Sequence, residues 1–277
     1  MRTTTAVAVA GFLAAGVSAQ NSTATCATGV HLIVARGSNE APGVGRIGSV
    51  ANGVVAAIPG SQIEPLDYPA TFDNYSTSVA AGDEAMKTAL TQYTSRCPGS
   101  KVALLGYSQG AHVVGDALCG NTQDVKSDAV DIDFNTTTPV AASVVDQSVI
   151  AVILFGDPTH DASASWNRGT STRDGLFPRV NVTACESYAP RIESYCDTGD
   201  IYCDVGNDTT VHGSYFVKYT KDAVAFVVSQ FDATKPATNG TSPTATSKPV
   251  PASGLALSAP VNLMSLVGMS VLMAHLL

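Results

Sequence analysis

Ser108 stands in Gly106-Tyr107-Ser108-Gln109-Gly110, a G-x-S-x-G pentapeptide inside KVALLGYSQGAHVVGDAL, Lys101 to Leu118. A serine framed in this way can act as a nucleophile when it sits on a sharp turn between a strand and a helix. Both flanks are present. Val102, Ala103, Leu104 and Leu105 make a short apolar run before the turn, and a segment of helical character follows it directly. On such a turn the backbone at Ser108 is strained and its hydroxyl is lifted clear of the sheet. Gly106 and Gly110 have no Cβ, so strand and helix can pass close beside it. The N–H of Gln109 then faces the place where an oxyanion would develop, with a helix N-terminus behind it. A glycine-bounded turn with an ordinary serine fits the pentapeptide alone; the strand before it and the helix after it favour the nucleophile.

A serine hydroxyl is inert without a base, and the base needs a carboxylate. On a strand–turn–helix nucleophile the chain order is serine, acid, histidine. Of the histidines, His31 precedes Ser108 on an apolar strand and reads as a core residue, and His112 lies on the same helix, four residues past the serine. His275 belongs to the C-terminal tail, and His160 follows the run Val149–Phe155, where the acid is more often carried. His212, in Thr209-Thr210-Val211-His212-Gly213 just before the last helix, is therefore the expected base. The acid has several candidates. Asp157 directly follows a strand. Asp200 lies in Cys196-Asp197-Thr198-Gly199-Asp200-Ile201-Tyr202-Cys203, where a Cys196–Cys203 bridge would close a small ring and hold it rigidly. Asp197 and Asp204 are neighbours in the same stretch, and residue types alone do not rank them.

The elements that must position these groups read as alternating strands and helices. Val30–Ala35 (VHLIVA) is a continuous apolar run, as in a buried parallel strand. Arg36-Gly37-Ser38-Asn39-Glu40 follows as a loop, in the place where a second oxyanion donor is expected. Ile47–Ile58 has helical spacing and stops at Pro59-Gly60; Ser61–Tyr68 suits a strand; Ser76–Arg96 suits a long helix closed by Cys97-Pro98-Gly99. Asn121–Gln147 is polar and reads as a surface excursion, Val149–Phe155 is the strongest strand, and Ser214–Phe231 reads as one final amphipathic helix. This alternation predicts a parallel sheet with helices on both faces.

The two ends depart from globular composition. Residues 1–19 have one arginine near the start, an apolar stretch and small residues at Val17-Ser18-Ala19, the pattern of a secretory leader. Residues 234–254 are rich in Pro, Ser, Thr and Ala and read as a flexible, O-glycosylated spacer. Residues 255–277 are almost wholly apolar with no basic cluster after them, as in a GPI-attachment signal; a C-terminal transmembrane helix is the competing reading. Residues 20–233 are left for a single catalytic domain, expected to be secreted, monomeric and held at the cell surface by the anchor. A net charge of −8 with only 15 Lys and Arg leaves no basic patch for nucleic acid. All 6 cysteines fall in the domain, and with a leader an even count favours disulfides. Cys196 and Cys203 have no paired histidines nearby, so a zinc site is a poor reading and no metal or organic cofactor is expected. N-glycosylation sequons stand at Asn21, Asn74, Asn135, Asn181, Asn207 and Asn239.

CxTGDxxC followed by Val-His, a GYSQG turn and an upstream Ala-Arg-Gly-Ser loop together resemble the fungal cutinase and acetylxylan esterase family, from Cys26 to about Phe231. The resemblance implies a three-layer α/β hydrolase without a lid, with a central parallel sheet of about five strands. It implies Ser108 as nucleophile, His212 as base and Asp200 as acid, with Asp157 a structural aspartate at a strand end. The oxyanion hole would be the Gln109 N–H with the N–H and hydroxyl of Ser38. The family's bridges match Cys26–Cys97 and Cys196–Cys203, which leaves Cys119–Cys185 to pair. The stretches Asp67–Ala70, Ala117–Gly120, Ser194–Asp197 and Val211–Gly213, with the polar run Asp204–Thr210, look closer to the acetylxylan esterase branch; Ser38 is the choice that resembles cutinases. The implied activity is deacetylation of acetylated xylan or cleavage of a cutin-like polyester of the plant cell wall. A surface glycoprotein that keeps the fold for adhesion without catalysis is the competing reading, and the complete set of serine, aspartate, histidine and oxyanion loop argues against it.

Overall fold

Eight strands and eight α-helices follow in chain order in a computed structural model that describes residues 25–121, 126–127, 130–131, 134, 136–180 and 182–236. The expectations placed on the leader, on the spacer beyond Pro236, on the apolar tail and on Asn21, Asn135, Asn181 and Asn239 lie outside the described residues. The strands are β1 (Val30–Ala35), β2 (Gln62–Pro65), β3 (Lys101–Tyr107), β4 (Lys126–Ser127), β5 (Val130–Asp131), β6 (Val149–Phe155), β7 (Asn167–Gly169) and β8 (Ile192–Cys196). β4 and β5, two residues each, pair antiparallel apart from the rest; the others make one six-stranded sheet in the order β2-β1-β3-β6-β8-β7. Every neighbouring pair in it is parallel. The strand beyond the expected five is β7, three residues (Asn-Arg-Gly) at the edge. It carries no apolar alternation because its side chains are half-buried or exposed and make polar contacts, Asn167 to the Asp161 carbonyl and Arg168 to Glu193, and so it left no mark in the hydrophobic pattern.

The central strands are apolar throughout because both faces are covered. Along β1, Val30, Leu32 and Val34 belong to one core and Ile33 and Ala35 to the other. β3 and β6 divide in the same way, with Leu105 and Ile153 on one side and Leu104 and Val152 on the other. Helix α1 (Gly48–Ala57) and the C-terminal α8 (Thr220–Ala233) contribute to the first core. α2 (Tyr75–Arg96) and α3 (Gln109–Cys119) contribute to the second, so the sheet lies between two helical layers. Burial of a single Leu or Ile side chain on either face is worth about 1.5–3 kcal/mol.

The polar excursion before β6 is less external than its composition suggests. Phe134 and Val140 are buried in the second core, and α4 (Ala142–Ser148) leads into the strand. The remaining helices are short: α5 (Thr183–Glu186), α6 (Thr209–His212) and α7 (Tyr215–Lys218). The single final helix expected over Ser214–Phe231 is thus divided at Tyr219, whose hydroxyl donates to Asp197 Oδ1 at 2.8 Å and whose ring packs 4.7 Å from that of Tyr195.

Strand order reverses at β1 and β3. The chain leaves β1 for the β2 edge, then returns past β1 to β3. In a doubly wound parallel sheet, the crevice outside the carboxyl ends of the strands at such a reversal is where ligands bind. The loops leaving these two strands carry Ser38 and Ser108.

Candidate active site

Ser108 occupies the single turn between β3 and α3, with φ 54° and ψ −121°. A non-glycine residue in this region costs about 1–3 kcal/mol and persists only where its surroundings hold it. Here its N–H donates to the Phe155 carbonyl at 2.8 Å, and its own carbonyl accepts from the N–H of Ala111 at 2.9 Å. The flanking glycines are required sterically. A Cβ on Gly106 would lie 2.5 Å from the Gly110 oxygen and 2.7 Å from the Ala111 Cα, and one on Gly110 would collide with the carbonyl of Ala35.

His212 closes α6, whose first turn is capped by Asp208 accepting from the Thr210 N–H at 2.8 Å. Its ring spans the gap between serine and acid. Nε2 lies 2.9 Å from Ser108 Oγ, while Nδ1 lies 2.9 Å from Asp200 Oδ2 and 3.1 Å from Oδ1. A carboxylate only accepts, so the ring proton sits on Nδ1 and the Nε2 lone pair faces the serine hydroxyl. Tyr107 stacks on the imidazole at 5.1 Å and Tyr202 meets it edge-on at 4.6 Å. The Tyr107 hydroxyl also donates to the His212 carbonyl at 3.1 Å, and Arg46 donates to the Gly213 carbonyl at 2.7 Å.

Asp200 is wholly buried in the loop closed by the Cys196–Cys203 disulfide. Burial by itself raises a carboxyl pKa. At Asp200 the hydrogen bond and charge of His212, the Tyr215 hydroxyl and the Tyr202 N–H together outweigh it, and the pKa is lowered. The backbone N–H groups of Tyr202 and Cys203 donate to Oδ1 at 2.7 and 3.1 Å. The other acid candidates serve elsewhere. Asp157 Oδ1 accepts from the N–H and hydroxyl of Thr159, each at 2.8 Å. Asp197 takes Lys218 at 2.6 Å, and Asp204 takes Arg173 at 2.6 Å and the Gly199 N–H at 2.8 Å. These last two brace the ring that carries Asp200.

The remaining described histidines are occupied or enclosed away from the serine. His31 bonds Glu64 at 2.7 Å and stacks on Tyr93 at 3.5 Å, and His112 pairs with Asp116 at 3.2 Å. His160 is buried with no partner at either ring nitrogen among the described residues.

The loop after β1 is tied down from several sides. Arg36 donates to the Tyr68 carbonyl at 2.7 Å and the Leu66 carbonyl at 3.2 Å, and the Tyr68 hydroxyl returns a bond to the Arg36 carbonyl. Glu40 accepts the Gly37 N–H at 2.7 Å and the Arg46 N–H at 3.0 Å, and the Asn39 N–H donates to the Ala70 carbonyl at 2.6 Å. Ser38 Oγ is buried without a hydrogen-bond partner among the described residues, and Ser38 borders the same cleft as Ser108. Gln109 is anchored through its side chain, which accepts from Ser78 at 2.8 Å and donates to the Thr71 carbonyl at 2.9 Å. The backbone that offers the Gln109 N–H therefore cannot swing away.

Ser108 and His212 open into a cleft of about 410 Å³. Its walls are mainly apolar: Phe72, Tyr75, Pro158, Leu176, Phe177 and Tyr202. The polar run 204–210 contributes none of these walls; Asp204 turns inward, and Asp208 caps α6. Sequence reasoning had no signal for this aromatic wall, which gathers rings from three separate segments: Phe72 with Tyr75, Phe177, and Tyr202. Nor did it single out Tyr215 or Tyr107, although Tyr215 stands three residues after the histidine, one helical turn on. The cysteines are joined as Cys26–Cys97, Cys119–Cys185 and Cys196–Cys203. Asn74 and Asn207, the two described sequons, are both exposed.

The model of the cutinase family matches residues 26–231. The chain belongs to the cutinase family. Acetylxylan esterase 2 of Talaromyces purpureogenus is 37% identical to this cutinase-family chain over 208 residues, covering 73% of it and 86% of that relative. Cutinase 11 of Verticillium dahliae is 34% identical over 210 residues, with 73% and 69% covered. A solved acetylxylan esterase superposes with a TM-score of 0.66 at 36% identity, over 75% of this chain and 100% of the other. The cutinase-family chain is thus a carboxylic ester hydrolase on a cutinase-like α/β-hydrolase fold.

Proposed function

We propose that this chain is a secreted serine esterase that cleaves carboxylic esters through an acyl-enzyme, with Ser108 as nucleophile, His212 as general base and Asp200 as its carboxylate. The observation that carries the reading is the unbroken contact from Ser108 Oγ through the imidazole to Asp200, 2.9 Å at each end, between groups 104 and 12 residues apart in sequence. Ser108 Oγ attacks the ester carbonyl carbon as His212 Nε2 takes its proton. The N–H of Gln109 with the N–H and hydroxyl of Ser38 donate to the oxyanion; the unpartnered state of Ser38 Oγ supports that role. The imidazolium then gives its proton to the departing alcohol oxygen. Water enters and attacks the acyl carbon as His212 Nε2 takes its proton; the bond from the acyl carbon to Ser108 Oγ then breaks, the imidazolium returns that proton to Oγ, and the carboxylic acid departs.

The preferred substrate is acetylated xylan, with cutin-like polyester second, since the relatives carry both names. An acetyl group fills a small part of the cleft, so the aromatic walls are left to the rest of the ester. The leader, spacer and tail make the enzyme extracellular, with its domain over residues 20–233 held at the cell surface by a GPI anchor. The test is initial rates on p-nitrophenyl acetate, butyrate and longer esters beside acetylated xylan, with labelling by a fluorophosphonate. Rates highest on acetyl esters and on acetylated xylan, with one labelled serine, support the reading. No labelling and no turnover would sink it.

A further inference from the structure

We propose that Tyr215 is a positioning residue of the esterase, acting through Asp200: its hydroxyl holds the carboxylate in the orientation that presents Oδ2 to His212. The inference rests on the triad as proposed above and adds a fourth member behind it.

Tyr215 is wholly buried on α7, its ring tilted against Phe155 at 5.8 Å. A phenylalanine would fill the same space, so the hydroxyl is there for polar contacts. It has two. The Asp197 N–H donates to the phenol oxygen at 3.1 Å, and the phenol is 2.6 Å from Asp200 Oδ2. With one lone pair taken by that N–H, and Asp200 offering only acceptors, the phenol proton points at Oδ2. Burial, and then the charge of Asp200, raise the Tyr215 pKa far above the ordinary tyrosine value, so it stays a donor wherever the enzyme works. The same Oδ2 receives His212 Nδ1 at 2.9 Å. Backbone donors hold Oδ1 from the other side. The carboxylate is thereby fixed at both oxygens, and its charge is shared between the phenol and the imidazole.

The titratable groups facing Asp200 are His212 from α6, Tyr215 from α7, Tyr107 from β3 and Tyr202 from its own loop. Only His212 and Tyr215 bond the carboxylate through their side chains among them. A donor that draws on the carboxylate's charge weakens its pull on the imidazolium proton. Losing that donor should make the imidazolium hold its proton more tightly.

The experiment is Tyr215→Phe in the full chain, assayed on p-nitrophenyl acetate across pH. The expected result is kcat down about tenfold with KM unchanged, and the acid limb of the kcat/KM profile moved to higher pH. In an Asp200→Asn background the same change should cost less than about twofold more, since the group it acts through is already disabled. Phe155→Leu, which loosens the ring without touching the carboxylate, should lower the thermal midpoint and leave the acid limb in place. Should Tyr215→Phe not accumulate as folded protein, replacing every tyrosine with 3-fluorotyrosine supplies a near-isosteric test. The fluorinated phenol is the stronger donor, and the acid limb should move to lower pH. An unchanged profile, or equal losses in both backgrounds, overturns the proposal. A wild-type chain with no turnover and no fluorophosphonate labelling would instead overturn the triad reading itself.

Discussion

Ser108 and His212 are useful only as a pair, because the hydroxyl needs a base within hydrogen-bond reach and the base has no other task. Ser108→Ala and His212→Ala should each lower kcat by roughly 10⁴–10⁶, and the double variant should fall little further. Additive losses would show that the two act independently. Asp200→Asn should keep the fold and cost about 10⁴ in rate by fixing the wrong imidazole tautomer, while Asp157→Asn, whose carboxylate serves Thr159, should alter melting more than rate. His160 matters through stability. Burial lowers its pKa below the ordinary 6.5, with Asp157, Asp174 and Asp161 opposing. The unfolded chain therefore takes up that proton first as pH falls. The stability from keeping His160 neutral is complete above about pH 6.5 and is lost below it, at up to about 1.4 kcal/mol per pH unit, until the folded form also protonates. Urea titrations at several pH values should show this slope. His160→Phe, which sacrifices no hydrogen bond among the described residues, should flatten it.

At the scale of elements, the disulfides separate stability from activity. Cys26–Cys97 spans 71 residues and clasps the start of the domain to the end of α2, far from the cleft. Removing it should cost about 4 kcal/mol by loop entropy and leave kcat nearly unchanged. Cys196–Cys203 spans only 7 residues but encloses Asp200. Removing it should cost about 2.5 kcal/mol by the same account, yet lower kcat far more, because the carboxylate loses its rigid loop. Melting curves and kcat for the two double-alanine variants check this; equal rates would show that the loop is held without its bridge. The same contrast explains what was legible beforehand. Gly106, Gly110 and the apolar runs of β1, β3 and β6 are local facts, and local sequence reports them; residue types alone left Asp200 among several acids, and only the family resemblance picked it out. The β7 strand, the break at Tyr219 and the reach of Tyr215 to Asp200 depend on what lies opposite in space, which spacing along the chain does not encode. The aromatic cleft is the clearest case, since no two of Phe72, Phe177 and Tyr202 share a segment.

For the whole molecule, the buried apolar residues among the described ones lie between Ala27 and Val227. The proposed leader, spacer and anchor signal would bear on where the esterase works, and the proposed triad lies wholly within the domain. The proposed anchor predicts that hydrolysis is confined to polymer near the cell. Phospholipase C should release active enzyme lacking residues 255–277 from membranes or walls. Recovery of the intact tail by detergent alone would show a transmembrane helix instead.

The cysteines pair in the order in which they occur: first with second, third with fourth, fifth with sixth. No bridge encloses or crosses another. A chain that enters an oxidising compartment from its N-terminus meets each correct partner as the next cysteine to arrive, before any later thiol can compete. A complete, reduced chain refolding from denaturant faces 15 pairings at once. If the chain is exported as proposed, synthesis is an easier route to the active enzyme than refolding, and yield should depend on vectorial export more than on reshuffling of wrong bridges.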